Sequence, residues 1–231
     1  MKKGSFAFSK AEIALWSGSV LLITASYFVF GAQSLLTLAA SLVGTTALIF
    51  NAKGYPLGQV LMIVFSLMYG AISLGFAYYG EMITYLGMSA PMAVFSLVSW
   101  LRHPFERGKA EVRVNRISAA EAGLMFVLCA GVTAAFYFIL EALGTANLVP
   151  STVSVATSFL AAYLTFRRSP FFALAYAAND AVLIVLWVMA AMSDASYVSV
   201  AVCFAAFLVN DLYGFFNWRR MQRRQSAVSA L

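Results

Sequence analysis

Residues Pro170–Met192 read PFFALAYAANDAVLIVLWVMAAM, twenty-three positions carrying a single charge, Asp180. At 1.5 Å per residue such a run crosses the ~30 Å hydrocarbon core of a bilayer as one helix. Arg167 and Arg168 precede it, and Ser193 and Asp194 follow it. Reading outward finds seven more stretches of this kind, roughly Ile13–Phe30, Leu35–Phe50, Leu57–Tyr78, Met82–Leu101, Ala119–Leu140, Pro150–Phe166 and Tyr197–Trp218. The expected fold class is therefore all-α, a polytopic membrane protein of about eight transmembrane helices.

Composition agrees with this reading. The 231 residues are 62% hydrophobic and 10% charged, against about 25% charged in soluble domains. The eight stretches fill the chain and leave no room for a separate soluble domain. Cys129 and Cys203 both lie inside apolar stretches and read as small core residues, not as a disulfide or metal pair. A net charge of +6 raises the question of nucleic acid, but the basic residues fall between the spans, so topology explains them.

Charge placement then orients the spans. With the N-terminus inside, Lys2, Lys3, Lys10, Lys53, Arg102, Arg107, Lys109, Arg113, Arg116, Arg167, Arg168, Arg219, Arg220, Arg223 and Arg224 all fall on the inner side, which is every Lys and Arg present. The outer loops carry only Glu81, Glu141 and Asp194. This is the pattern of the positive-inside rule, and a wrong span count would scramble it. The first span reads as a membrane helix, not a cleaved signal, because its apolar run is long and no A-x-A site follows. The expected orientation has both termini in the cytoplasm. The Ser/Ala-containing tail after Arg224 reads as a disordered end.

An internal repeat is also visible. An offset of 118 positions lays Tyr69 over Trp187, Tyr79 over Tyr197 and Trp100 over Trp218. It also lays spans two to four over spans six to eight. Corresponding helices lie four spans apart, so the two units run parallel about an axis along the membrane normal. The expected organisation is an extra helix (1–33), a first three-helix unit (34–101), a basic inner loop with a linker helix (102–149), a second unit (150–220) and a cytoplasmic tail (221–231).

The polar chemistry concentrates in two Asn-Asp pairs, Asn179-Asp180 and Asn210-Asp211. Helical rise places them about 15 and 12 Å from the inner ends of their antiparallel spans. A carboxylate there costs at least ~2.5–3.5 kcal/mol and should face the bundle interior or a wet cavity. The amides offer donor and acceptor together, and the acids can balance a cation. Either pair could instead tie helices together by hydrogen bonds. Neighbours on a helix differ by about 100°, so both members of a pair need not face a cavity. Trp187, close to one face with Asp180, and Tyr213, three residues after Asn210, supply rings that could stack on a heteroaromatic ligand. Tyr69 and Gln59 are the candidates from the first unit. Glu81 is expected to remain solvated near the outer surface, and Trp100 and Trp218 to be packing or belt residues. One histidine, His103, no Gly-rich phosphate loop and no Lys within a span argue against an enzyme, a metal site or a resident cofactor.

These residues resemble the PnuC family of bacterial vitamin transporters over about Leu35–Arg220. The carriers are Asn51-Ala-Lys-Gly54 with Gly58-Gln59, Tyr79-Gly80-Glu81, Trp100, Arg167-Arg168, Asn179-Asp180 leading to Trp187, and Asn210-Asp211-Leu-Tyr213-Gly214-Phe-Phe-Asn217-Trp218. The resemblance implies two three-helix bundles joined by a linker helix, as in SWEET sugar transporters. It implies import of nicotinamide riboside by facilitated diffusion, with trapping by a cytoplasmic kinase. It also implies a pocket at Asn179, Trp187, Asn210, Tyr213 and Gln59. Phe171–Tyr176 stand where relatives carry a Trp-rich stretch, and relatives carry thiamine or riboflavin-like vitamins, so the vitamin stays open. Ion-coupled transport through Asp180 or Asp211 and a non-transporting scaffold are the other readings. The expected partners are a small-molecule vitamin, the bilayer and the kinase, with room for a homo-oligomer and none for nucleic acid.

Overall fold

A computed structural model describes residues 8–30, 34–75, 79–106, 108–145 and 147–228. Lys2, Lys3 and Arg107 of the charge pattern lie outside them, as do residues 76–78 of the third span and the side chain of Tyr79. The elements are α1 (Lys10–Phe30), α2 (Leu35–Ala52), α3 (Leu57–Gly75), α4 (Tyr79–Ile83), a π-helical turn (Thr84–Ser89), α5 (Ala90–Arg102), α6 (Ala119–Ala142), α7 (Leu148–Phe166), α8 (Phe171–Ala191), a short 3₁₀ turn (Ala195–Tyr197) and α9 (Val198–Val228). Among the described residues eight helical segments are long and apolar enough to cross a membrane, α4, the π turn and α5 forming one of them. The chain is a multi-pass membrane protein.

Lipid tails are as apolar as leucine, so membrane helices associate through close packing of small residues and through polar ties. Both are present. Ala40, Ala47, Thr45, Ser66, Ala161 and Ala173 are each fully buried. The helices α2, α3, α8 and α9 form the centre, while α1 leans on α2 and α9, and α6 leans on α7. Ser118 caps α6 by accepting from Glu121 N, and Glu121 in turn pairs with Arg167 at the end of α7.

The turns α2–α3 and α7–α8 repeat one another at an offset of 114 positions. Gly54 N donates to Asn51 O and Tyr55 N to Phe50 O, just as Arg168 N donates to Thr165 O and Ser169 N to Leu164 O. Pro56 and Pro170 follow at the same offset. The left-handed residue is Gly54 in the first turn (φ 67°) and Arg168 in the second (φ 56°). Glycine suits the first because a Cβ there would crowd Val112 and Met221 at 3.2 and 3.1 Å. Arg168 is held by contacts of its guanidinium with Ser99 Oγ and Arg113 O. Trp100 and Trp218 keep the offset of 118, so the second unit has four more residues between its proline and its tryptophan. At 114 Tyr69 lies over Leu183, whereas at 118 it lies over Trp187.

The halves also tie reciprocally. Trp100 Nε1 donates to Thr165 O at 2.9 Å, and Trp218 Nε1 to Asn51 O at 2.8 Å. Ser99 Oγ donates to Phe166 O, and Asn217 Nδ2 to Ala52 O, both at 2.8 Å. Ser99 and Asn217 thereby reach helix-terminal carbonyls that the turns leave open, while the indoles add a second donor to Thr165 O and Asn51 O. The two indoles meet at 5.4 Å and pack on Phe172. With 1% and 0% exposure they are packing residues and not an interfacial belt.

The connection between α5 and α6 lies across this end as a strap. Val112 N donates to Gly54 O and Asn115 N to Arg168 O, each at 3.0 Å. The strap thus bonds both left-handed turns at equivalent positions. Gln225 locks it from α9, donating to Val112 O and accepting from Val114 N. The tail expected to be disordered is therefore helical through Val228, because buried Gln225 anchors it.

Candidate functional site

Helices α2, α3, α5, α7, α8 and α9, with α4 and the π turn, line a cavity that extends from the α6–α7 connection, at Thr145, down to Gln59 and Asp211. Its atom-free space is about 1150 Å³, counting the part open to solvent. The opposite, arginine-rich end is closed by Trp100, Phe172, Trp218 and Val112.

Of the eight residues singled out in the sequence, Gln59, Asn179, Asp180 and Asp211 line this cavity. Asn179 Oδ1 accepts from Thr157 Oγ1 at 2.8 Å, Ser158 Oγ at 3.0 Å and, weakly, Ser154 Oγ at 3.4 Å. With its oxygen fixed by α7 hydroxyls, the amide orientation is set and Nδ2 remains as its second polar atom. Gln59 Nε2 donates to Asn51 Oδ1 at 2.8 Å. Gly58 makes that contact possible, since a Cβ would sit 2.2 Å from the same oxygen. Asp180 and Asp211, on the packed helices α8 and α9, both bring their carboxyls to this cavity.

The other four residues point elsewhere. Asn210 Nδ2 donates to Ser19 Oγ of α1 and to Ala206 O, both at 2.8 Å. Tyr213 OH donates to Glu12 Oε1 at 3.3 Å. Glu12 also pairs with Lys53 at 3.0 Å. Asn210 and Tyr213 do share a face, as their spacing predicts, but that face is turned to α1. Trp187 packs on Tyr197 at 5.5 Å, above the cavity. Tyr69 is buried against Tyr85, ring to ring at 4.7 Å.

The cavity's own rings are Phe65, Tyr85, Tyr176, Phe204 and Phe207. Phe207 lies four residues before Asp211 and Phe204 seven before it, so helical spacing marks them once Asp211 is known to face inward. Tyr85 carries no such mark. It arrives through the π turn, where Ala90 N bonds Tyr85 O, a local widening of the kind found at functional sites. Glu81, expected to be solvated, instead lines the cavity and accepts from Ser73 Oγ at 3.5 Å.

Two lining atoms stand out. Ser66 Oγ and Asp180 Oδ2 are among the few buried polar atoms of the described residues without a hydrogen-bond partner. They occupy equivalent positions at the offset of 114. A buried unsatisfied polar atom calls for a reason, and an absent ligand is one. No group of three or more metal-ligating side chains occurs among the described residues.

A crystal structure of the vitamin B3 transporter PnuC superposes with a TM-score of 0.81 over 95% of this chain and 94% of that one, at 21% identity, and shows the same fold. The nicotinamide riboside transporter PnuC of Neisseria mucosa is 25% identical over 217 residues, 92% of this chain and 82% of that protein. Residues 34–220 match the family described as the nicotinamide mononucleotide transporter, and the chain belongs to that family of PnuC-type membrane transporters.

Proposed function

We propose that the chain imports a vitamin precursor, nicotinamide riboside first, by facilitated diffusion with alternating access. The carrying observation is the pair of unpartnered, repeat-equivalent atoms Ser66 Oγ and Asp180 Oδ2 inside an aromatic-walled cavity. The rings would stack on the nicotinamide, Asp180 and Asp211 would offset the pyridinium charge, and Asn179 and Gln59 would bond amide and ribose groups. The basic residues on one side support a cytoplasmic-membrane location with both termini inside. On that reading the cavity faces outward, and the tryptophan pair with its strap forms the inner closure. A cytoplasmic kinase would trap the product, which makes passive import sufficient.

Uptake into proteoliposomes tests this reading. Saturable entry of nicotinamide riboside, lost in Asp180→Asn, is expected. Saturable thiamine or riboflavin entry in its place would replace the substrate and keep the mechanism. No saturable flux for any of the three would leave a membrane scaffold.

A second reading, ion coupling, is favoured by Asp180, Asp211 and Glu81 lining the same cavity. Uptake that persists unchanged without sodium and without a pH gradient would dismiss it.

A further inference from the structure

We propose a second binding site, for the phosphate group of an anionic phospholipid, in the groove between the strap, the α7–α8 turn and α9. Arg116 reaches it from the strap, and Arg219 and Arg223 from α9, together with Asn115, Ser169 and Gln222. Arg219 is held in place, its guanidinium 5.6 Å from the Phe171 ring centroid and donating to Gln222 Oε1 at 2.9 Å. Three like charges in one concavity repel each other unless an anion joins them.

Among the described residues no carboxylate lines the groove. The acids on this face are used elsewhere: Glu12 pairs with Lys53, Glu106 with Lys109, Glu111 with Arg224 and Glu121 with Arg167. The N-terminus of the 21-residue helix α8 ends at the groove and adds its positive dipole end. Arginine presents paired donors suited to phosphate oxygens.

Position decides between the sources of that phosphate. Arg223 lies five residues beyond Trp218 on the same helix, about 8 Å along its axis, where headgroups would sit. Exposed Phe171, Leu174 and Phe216 continue from the groove along the membrane-crossing parts of α8 and α9, an apolar path for acyl chains. Basic pockets between helices at the cytoplasmic surface are headgroup sites. A soluble phosphate shares the headgroup chemistry but gains nothing from that path. The site is separate from the cavity and independent of what the cavity carries.

The test is a melting curve of the full chain in detergent with added phosphatidylglycerol, with phosphatidylcholine, or with inorganic phosphate at the same phosphate concentration. Phosphatidylglycerol should raise the melting temperature more than phosphatidylcholine does. The double variant Arg116→Gln, Arg223→Gln should weaken that effect roughly 30-fold in apparent affinity, since each arginine near an anionic headgroup contributes about fivefold. Arg102→Gln, which removes a charge from the same side away from the groove, should leave it intact. Equal stabilisation by inorganic phosphate, lost in the same double variant, would keep the phosphate site and assign it to a soluble anion. No stabilisation by either, or equal loss in Arg102→Gln, would overturn the site. Should the double variant melt too early, native mass spectrometry of the lipid retained by each variant distinguishes the same outcomes.

Discussion

Replacing Asn179 by alanine separates a ligand contact from a helix tie. The substitution removes Oδ1, which accepts two well-formed hydrogen bonds, from Thr157 at 2.8 Å and Ser158 at 3.0 Å, and a marginal one from Ser154 at 3.4 Å. Hydrogen bonds between membrane helices average about 0.6 kcal/mol, so the ligand-free protein should lose about 1.2 kcal/mol. A ligand bond through Nδ2 is worth up to ~1.5 kcal/mol, about tenfold in Kd. Nicotinamide riboside at a hundredfold excess over the original Kd stabilises the folded state by about 2.7 kcal/mol; after a tenfold loss of affinity the same concentration gives only about 1.4 kcal/mol. Thermal melts with and without ligand should therefore show a modest drop in the baseline and a halved ligand shift. Thr157→Val removes one donor but leaves Ser158 holding the amide, and should lower the baseline by about 0.6 kcal/mol with the ligand shift nearly intact. A full ligand shift in Asn179→Ala would show that the residue only ties α7 to α8.

Asp180→Asn should weaken binding of cationic vitamins at least tenfold, since hydrogen bonds to charged groups are worth about 1.5–3 kcal/mol, and should leave neutral riboflavin unaffected. It should not destabilise the chain, because an amide is cheaper than a carboxylate at membrane depth; titration calorimetry and melts of one preparation give both answers. Lys53→Met leaves Glu12, 4% exposed, without its cation and should cost about 3–5 kcal/mol, most of it recovered in the double variant with Glu12→Gln. Single and double variants that unfold alike in a denaturant series would contradict that coupling. Trp100→Phe and Trp218→Phe each remove one of two donors to a helix-terminal carbonyl, Arg168 N and Gly54 N remaining, and should destabilise by similar amounts, about 1 kcal/mol; clearly unequal losses would argue against reciprocal halves. Gln225→Ala should loosen the strap, so that Val112→Cys in that background reacts with a maleimide about tenfold faster than in the parent.

The sequence by itself determined the number of spans, because 1.5 Å of rise against the hydrocarbon thickness admits few alternatives and fifteen basic residues check the count independently. It also marked the Asn-Asp pairs as interior groups, since their cost at that depth excludes a lipid-facing position. Which member of each pair faces the cavity was not legible, because neighbours about 100° apart are separated only by what packs against the helix. Contact of α1 with α9 drew Asn210 to Ser19 and Tyr213 to Glu12, which left Asp211, Phe204 and Phe207 for the cavity. The π turn brought Tyr85 inward, and Glu81 with it lines the cavity, where hydropathy alone placed that acid in water. Repeat register likewise needed backbone bonds, since aromatic spacing alone absorbed a four-residue difference between the units. Hydropathy and charge act on whole segments and are written along the chain. The facing of a side chain is a rotation about a helix axis, fixed only when the neighbouring helices meet.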